Sequence, residues 1–485
     1  MAKLGAAGAQ AFRAVAPPAC GDDEAQAHFM AVGTIGSGKT IILRLLMQSV
    51  LPDVGMGRGV RAIVYDAKQD ALPILAGFCD PRLIFTLNPF DDRGVAWDVA
   101  KDITEPRVAL ELAFTLVPKT NEQNPFFADA SRDIIYGIVL SFILSKQPWS
   151  LADVIRAASN PKTAHRVLKR HKESAQYMST YFADKRLCFN IFSTIATKLL
   201  DFRPVAGCWE AATRRISLTE FFNSEMILVL GNCEESKKSL DAINRLIFKR
   251  ATDMQLAKPE YTSDRTWYFL DELTEAGKLD GLVSLMKKGR SKGARVAIAF
   301  QTISGLRDPS NFGQYMADEV VGQIGCRFFG RIECPETAEF ASKTLGGREL
   351  IQKSNSQTYG QHGSTTHSYQ NIISRTMLPS EFLSMPACTS ENGLFGIVTL
   401  RNIGCTTIHV HPVDLFEHML VSPEPNVPDF VPRDVSHQYM PDWTPEQREQ
   451  FAPARKKGKG TPPLTEDKPK PKTSKSHLNL DDLLD

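Results

Sequence analysis

The sequence contains no apolar run long enough to cross a bilayer. Its longest uncharged apolar stretch, Ile134 to Ser145, has 12 residues, against the roughly 20 that a membrane-spanning helix needs. No transmembrane helix is expected. C-x-x-C pairs are also missing: the nine cysteines, at 20, 79, 188, 208, 233, 326, 334, 388 and 405, are odd in number and scattered. That pattern excludes a disulfide scaffold and fits reduced thiols in a cytosolic protein. Net charge is small as well, since 57 basic against 55 acidic side chains leave +2, so bulk charge does not mark a nucleic-acid-coating chain. What is present forms cores. With 42% hydrophobic and 9% aromatic residues over 485 positions, a disordered or collagen-like chain is excluded, and at roughly 150 residues per domain about three units are expected. The first 20 residues carry Lys3, Arg13 and only a weak Ala/Gly-rich stretch, a poor signal peptide, and residues 1–26 read as a flexible leader.

Proline and charge are unevenly spread. Eleven of the 29 prolines fall in 421–485, where no helical or strand period is sustained, so this segment reads as an extended, mostly disordered tail. Within it Arg455–Lys475 holds eight basic and two acidic residues, followed by Leu478-Asn-Leu-Asp-Asp-Leu-Leu-Asp485. Upstream, strand-like runs at 28–32, 62–65, 226–230, 266–270, 295–300 and 326–329 alternate with helical patterns. This is the order of a mostly parallel sheet covered on both faces, an α/β fold. A long helical stretch interrupts it, broken at Pro148 and Pro161. The expected organisation is therefore an α/β nucleotide-binding domain over 27–101 and 209–420, an all-α insertion over 102–208, and the tail. Residues 351–376, rich in Ser, Thr, Gln and Asn around Gly360 and Gly363, read as an antiparallel hairpin.

The chemistry is carried by Gly33-Thr34-Ile35-Gly36-Ser37-Gly38-Lys39-Thr40, which follows the apolar strand His28–Val32 and opens a helical run. It fits G-x-x-x-x-G-K-[ST], where glycines let successive N–H groups face an anionic phosphate at a helix N-terminus. Lys39 then reaches the β- and γ-phosphates, and the Thr40 hydroxyl holds Mg²⁺. Such a loop needs an acidic partner at a neighbouring strand end, and Thr266-Trp-Tyr-Phe-Leu-Asp271-Glu272 supplies two. Asp271 binds Mg²⁺ through water and Glu272 polarises the attacking water as general base. Together the motifs indicate ATP hydrolysis with ATP and Mg²⁺ as cofactors.

At this point the residues resemble the TraG/TraD-type coupling ATPases of type IV secretion and conjugation, over most of Ala27 to His411. The likeness rests on Ile63-Val-Tyr-Asp66-Ala-Lys68-Gln-Asp70, with Gln69 where the family usually has glycine. It rests also on Asn88-Pro-Phe-Asp91 with Trp97-Asp98, on Gly289-Arg290-Ser-Lys-Gly293 followed by Gln301, and on Leu378-Pro-Ser-Glu-Phe382. The resemblance implies a RecA-like P-loop motor core, with Arg290 at the arginine-finger position and Gln301 at the glutamine that senses the γ-phosphate. It further implies a homo-hexamer that moves DNA or a relaxase–DNA cargo toward type IV secretion components. Family members normally carry membrane-spanning helices before the phosphate loop, whereas about 30 residues precede it here. The expectation is a member without those helices, cytoplasmic, with peripheral recruitment to the inner face of the membrane through partners.

A nucleic-acid contact has a candidate in Asn160–Arg203, with nine basic residues (Lys162, Arg166, Lys169, Arg170, Lys172, Lys185, Arg186, Lys198, Arg203) against three acidic ones. Tyr177, Tyr181 and Phe182 are available for stacking. The alternative is a solvated helix face. The terminal leucines 478, 480, 483 and 484 with Asp481, Asp482 and Asp485 read either as a docking motif or as a solubilising end. Two other functions stay open from sequence: an FtsK/HerA-like DNA pump in segregation or processing, and a cargo adaptor that uses ATP for assembly without translocation.

Overall fold

The computed structural model describes residues 28–119, 125–358, 364–400 and 404–453. The leader, the basic stretch 455–475, the acidic terminus 478–485 and the turn around Gly360 and Gly363 lie outside the described residues.

A nine-stranded sheet carries the architecture, in the order β13-β12-β9-β1-β8-β7-β2-β6-β3. Its strands are β1 (His28–Val32), β2 (Val60–Asp66), β3 (Ile84–Thr86), β6 (Ile227–Gly231), β7 (Arg265–Leu270), β8 (Ala294–Phe300), β9 (Ile324–Phe329), β12 (Leu394–Leu400) and β13 (Gly404–Val410). From β9 to β3 all neighbours run parallel, while β12 and β13 are antiparallel additions. Every residue of β1, β2, β6 and β8 is buried, which is why these strands read as continuous apolar runs rather than alternating ones. All six strands legible in the sequence are present. The hairpin is present too, as β10 (Gly347–Thr358) paired antiparallel with β11 (Ser364–Arg375). A further short parallel pair joins β4 (Ala96–Trp97) to β5 (Arg215–Ile216).

The chain forms two compact units, one from residues up to 86, 221–232 and 247–430, the other from 87–220, 233–246 and 431 onward. The first holds the large sheet. The second is mainly helical, with α2 (Pro106–Leu116), α3 (Phe126–Ser145), α4 (Leu151–Ala158), α5 (Pro161–Leu168), α6 (Lys172–Tyr181), α7 (Lys185–Leu199) and α8 (Arg203–Ala211). Pro161 takes the first turn of α5 behind the Asn160 cap, where its missing N–H removes no bond.

Two sequence expectations need correction here. The helical unit takes in 87–220 together with 233–246 and 431 onward, not 102–208 alone, and within it Asp102 ties the segment at 97 to the segment at 218–219. That carboxylate is fully buried. It accepts from Trp97 Nε1 at 2.6 Å, Leu218 N at 2.6 Å, Thr219 N at 3.0 Å and Thr219 Oγ1 at 3.1 Å. Residues 421–453, in turn, are not a free tail. The buried Arg433 side chain donates to the carbonyls of Asp91 at 2.9 Å, Gly94 at 2.8 Å and Cys208 at 3.0 Å. Trp443 Nε1 donates to Asp153 Oδ1 at 2.6 Å. A capping box on Thr444 starts α10 (Pro445–Phe451), whose Phe451 ring lies 5.1 Å from Phe142. The strap 431–453 is held by separated anchors, with a short 3₁₀ turn at Val435–Gln438 and α10 as its regular structure, an arrangement that leaves no period in the sequence. Among the described residues, no helix is long and apolar enough to cross a membrane, and the eight described cysteines are all free.

Candidate nucleotide site

Parallel strands deliver their following loops to one edge of the sheet, where α/β folds bind ligands. At that edge Gly33–Thr40 curls between β1 and α1 (Lys39–Val50). Gly36 and Gly38 have φ of +74° and +92°, the region that favours glycine, and a Cβ on Gly38 would overlap Leu394. The loop is fastened where Thr34 N donates to Arg331 O and Cys388 N donates to Gly36 O, both at 2.8 Å. Its tip, Ile35, is exposed, and the Ser37 hydroxyl is buried with no partner among the described residues.

Lys39 is 8% exposed and its ammonium donates to Gly33 O at 2.7 Å and Thr34 O at 3.0 Å. Burial pushes its pKa down, while the Glu272 and Asp271 carboxylates pull it back up. Thr40 Oγ1 donates to Asp271 Oδ2 at 3.0 Å. Lys68, at the end of β2, donates to Thr40 Oγ1 at 3.0 Å and to Asp271 Oδ2 at 3.2 Å. A cationic group thus already sits against this hydroxyl and carboxylate. These are hard oxygen donors, of the kind Mg²⁺ takes from a protein when phosphates supply its other ligands. The residues fit that ion, and no cluster of three or more His, Cys, Asp or Glu able to hold a metal occurs among the described residues.

Glu272 follows Asp271 at the end of β7 and is 9% exposed. Its Oε1 accepts from the Thr274 hydroxyl at 2.8 Å and its Oε2 from Gln301 Nε2 at 3.1 Å. Gln301 is placed there because it ends β8, the neighbour of both β7 and β1. Lys39, Thr40, Asp271, Glu272 and Gln301 therefore gather at one edge. Arg290 does not join them. It precedes the N-terminal end of β8, a seven-residue strand, so at about 3.3 Å per residue it lies about 20 Å from the edge its own phosphate loop occupies.

Sequence reasoning missed Lys68 as a member of this cluster, although the motif around it stood out. Beside it Gln69 takes φ +61° and donates through Nε2 to Asn232 O. The backbone there has the left-handed shape that glycine would supply, and the glutamine side chain offsets it with a bond.

In the helical unit, Lys162, Arg166, Lys169, Lys172, Lys185 and Arg186 are exposed. The expected stacking residues are used internally instead. Phe182 is buried against Phe192 and His165, Tyr181 donates to Asp133 Oδ2 at 2.6 Å, and Tyr177 packs edge-on to Tyr136. Phe189 on α7 is exposed, one turn from Lys185 and Arg186.

The model of one protein family, the type IV secretion-system coupling protein DNA-binding domain, matches residues 18–396. The chain is 24% identical over 352 residues to the coupling protein TraD of Escherichia coli (strain K12), covering 71% of this chain and 47% of TraD. It thus spans about half the length of that relative. Among solved structures it is similar to the bacterial conjugative coupling protein TrwBdeltaN70 in an unbound form, with TM-score 0.62, 20% identity, and 84% and 88% of the two chains covered. It is also similar to the plasmid coupling protein TrwB in complex with ADP and Mg²⁺, with TM-score 0.60, 20% identity, and 84% and 89% covered. These likenesses establish the shared α/β fold.

Proposed function

This chain belongs to the family of type IV secretion-system coupling proteins, and on that premise we propose that it is an ATP-hydrolysing motor that drives DNA, or a relaxase–DNA cargo, toward a secretion apparatus. The observation that carries the reading is the Gln301 Nε2 to Glu272 Oε2 bond of 3.1 Å, adjoining the Thr40–Asp271 contact. It joins a base, a candidate sensor and a cation site at the mouth of one phosphate loop.

Lys39 exchanges its two carbonyl partners for β- and γ-phosphate oxygens. Thr40 and Asp271 would hold Mg²⁺, and that ion when bound would supply charge neutralisation for the phosphate oxygens. Gln301 turns its amide from Glu272 to the γ-phosphate, which frees Glu272 Oε2 to accept a proton from the attacking water. The Thr274 hydroxyl keeps the carboxylate oriented meanwhile. Arg290, about 20 Å from its own loop, acts on the nucleotide of a neighbouring copy in a ring, so turnover depends on assembly. The exposed cations of α5, α6 and α7 contact the nucleic-acid backbone, a sequence-independent grip that weakens with salt. The motor works in the cytoplasm and is recruited to the membrane by its secretion partners.

The test is hydrolysis by the pure chain with and without single- and double-stranded DNA. DNA should raise turnover, Lys39→Ala should abolish it, and Glu272→Gln should lower kcat by about 10²–10⁴ with nucleotide binding retained, the usual range for loss of a general base. An unstimulated rate on both DNA forms, or a Glu272→Gln enzyme within tenfold of the parent, would refute the motor.

A further inference from the structure

At the opposite edge of the sheet, where β1, β8 and β9 begin, lies a cleft of about 590 Å³ bordered by His28, Lys287, Arg290, Arg327, Thr344 and Thr399, among others. Three of its lining residues are cationic and none is a carboxylate. Lys287, at the end of α9 (Leu282–Lys288), is already paired with Glu319. Arg327 and Thr399 are direct register partners across β9 and β12. Arg327 Nε and Thr399 Oγ1 are both shut away from solvent, and neither has a hydrogen-bond partner among the described residues. A buried donor left without a partner is unfavourable, which is what a ligand would relieve. Two such atoms on paired positions of neighbouring strands, in a cationic cleft, describe an incomplete anion site.

The floor of the cleft supplies no negative charge to fill it. His28 spends its ring on Met286 O at 2.9 Å and Val296 N at 3.1 Å. Burial, aided by Arg295 and Arg290, pushes its pKa down to about 4, so the ring adds no charge of its own near neutral pH.

We propose that Arg327 and Thr399, together with Arg290, form an oxyanion pocket that receives the phosphates of a nucleotide bound to a second copy of this chain. The proposal rests on the ring reading above, because Arg290 lines this cleft and cannot reach its own loop. It adds two residues that no sequence motif marks. The guanidinium fork of Arg327 supplies a planar donor pair suited to phosphate oxygens, and the Thr399 hydroxyl supplies another donor. All three act as binding groups across a head-to-tail interface of the kind that closes a ring.

Two readouts test this, with thermal unfolding as the control for folding and the isosteric Thr399→Val as the mild variant. In sedimentation velocity with Mg²⁺ and a non-hydrolysable ATP analogue, Arg327→Ala and Thr399→Val should raise the concentration needed for analogue-promoted assembly, Arg327→Ala by about tenfold or more, the loss of one strong charge-assisted contact. In mixing experiments, Arg327→Ala chains have intact loops and Lys39→Ala chains have intact pockets. An equal mixture should regain turnover at about a quarter of interfaces by random head-to-tail pairing. If Arg290→Ala mixed with Lys39→Ala regains nothing, the ring reading itself fails. If that pair recovers while Arg327→Ala and Thr399→Val assemble and turn over like the parent, the ring stands and the pocket is refuted.

Discussion

Truncating Asp102 to alanine should open the neck of the helical unit, and the size of the effect follows from its bonds. The carboxylate accepts from the buried N–H groups of Trp97 and Leu218 and from the half-buried N–H and hydroxyl of Thr219. At roughly 1–3 kcal/mol for each donor left unsatisfied, Asp102→Ala costs about 3–6 kcal/mol. Trp97→Phe removes one donor together with its bond and costs less, about 1–2 kcal/mol, because nothing buried is left unpaired on the protein's side except one oxygen that keeps other partners. Global denaturation of a two-unit chain need not be two-state. Amide hydrogen exchange at Leu218 and Thr219 therefore reads the local opening directly. Exchange should accelerate by at least about 10² in Asp102→Ala, since each 1.4 kcal/mol is a factor of ten. Less than tenfold acceleration, with exchange elsewhere unchanged, would mean that Asp102 does not hold the two segments together.

Asp66, at the end of β2, is buried and its pKa is raised from 3.8 to about 6, chiefly by desolvation, with Asp70 adding to it. The folded state therefore holds this proton more tightly than the unfolded state, and stability falls as pH rises between about 4 and 6, by up to about 3 kcal/mol. Asp66→Asn should flatten that stretch in urea midpoints taken from pH 4 to 8, and a parent that instead gains stability relative to the variant over this range would contradict the assignment. Gly207 lies under the strap, where a Cβ would come within 2.6 Å of His437 O and 3.0 Å of Gln438 O. Gly207→Ala should cost about 1–3 kcal/mol of overpacking and expose residues 433–453 to limited proteolysis, a cleavage pattern that stays unchanged if the strap is not seated there.

The motifs that make up the nucleotide site were legible because each is local: a loop between β1 and α1, an acidic pair ending β7, a glutamine ending β8. Their convergence follows from parallel topology alone. Lys68 was not assigned a role because its partners, Thr40 and Asp271, are 28 and 203 residues away. Asp102 and Arg433 were unreadable for the same reason, since each acts on backbone groups more than 100 residues distant. Tyr181 and Phe182 were misread in the other direction. Aromatics beside cations suit a nucleic acid, but α6 and its end turn these rings inward to Asp133 and Phe192. Composition reports which side chains are near in sequence, and the helix phase decides which of them meet solvent.

The strap also sets a timetable. Carbonyls of Asp91, Gly94 and Cys208 that receive Arg433 are made early, yet their partner is synthesised about 190 residues after the helical unit has otherwise ended at 246. At about 5–20 residues per second the growing chain spends roughly 10–40 s with that unit unlatched, while the large sheet is still adding β7, β8, β9, β12 and β13. During that interval the helical unit presents an unoccupied seat for residues 431–453, open to a chaperone or to the strap of another chain emerging from the same message.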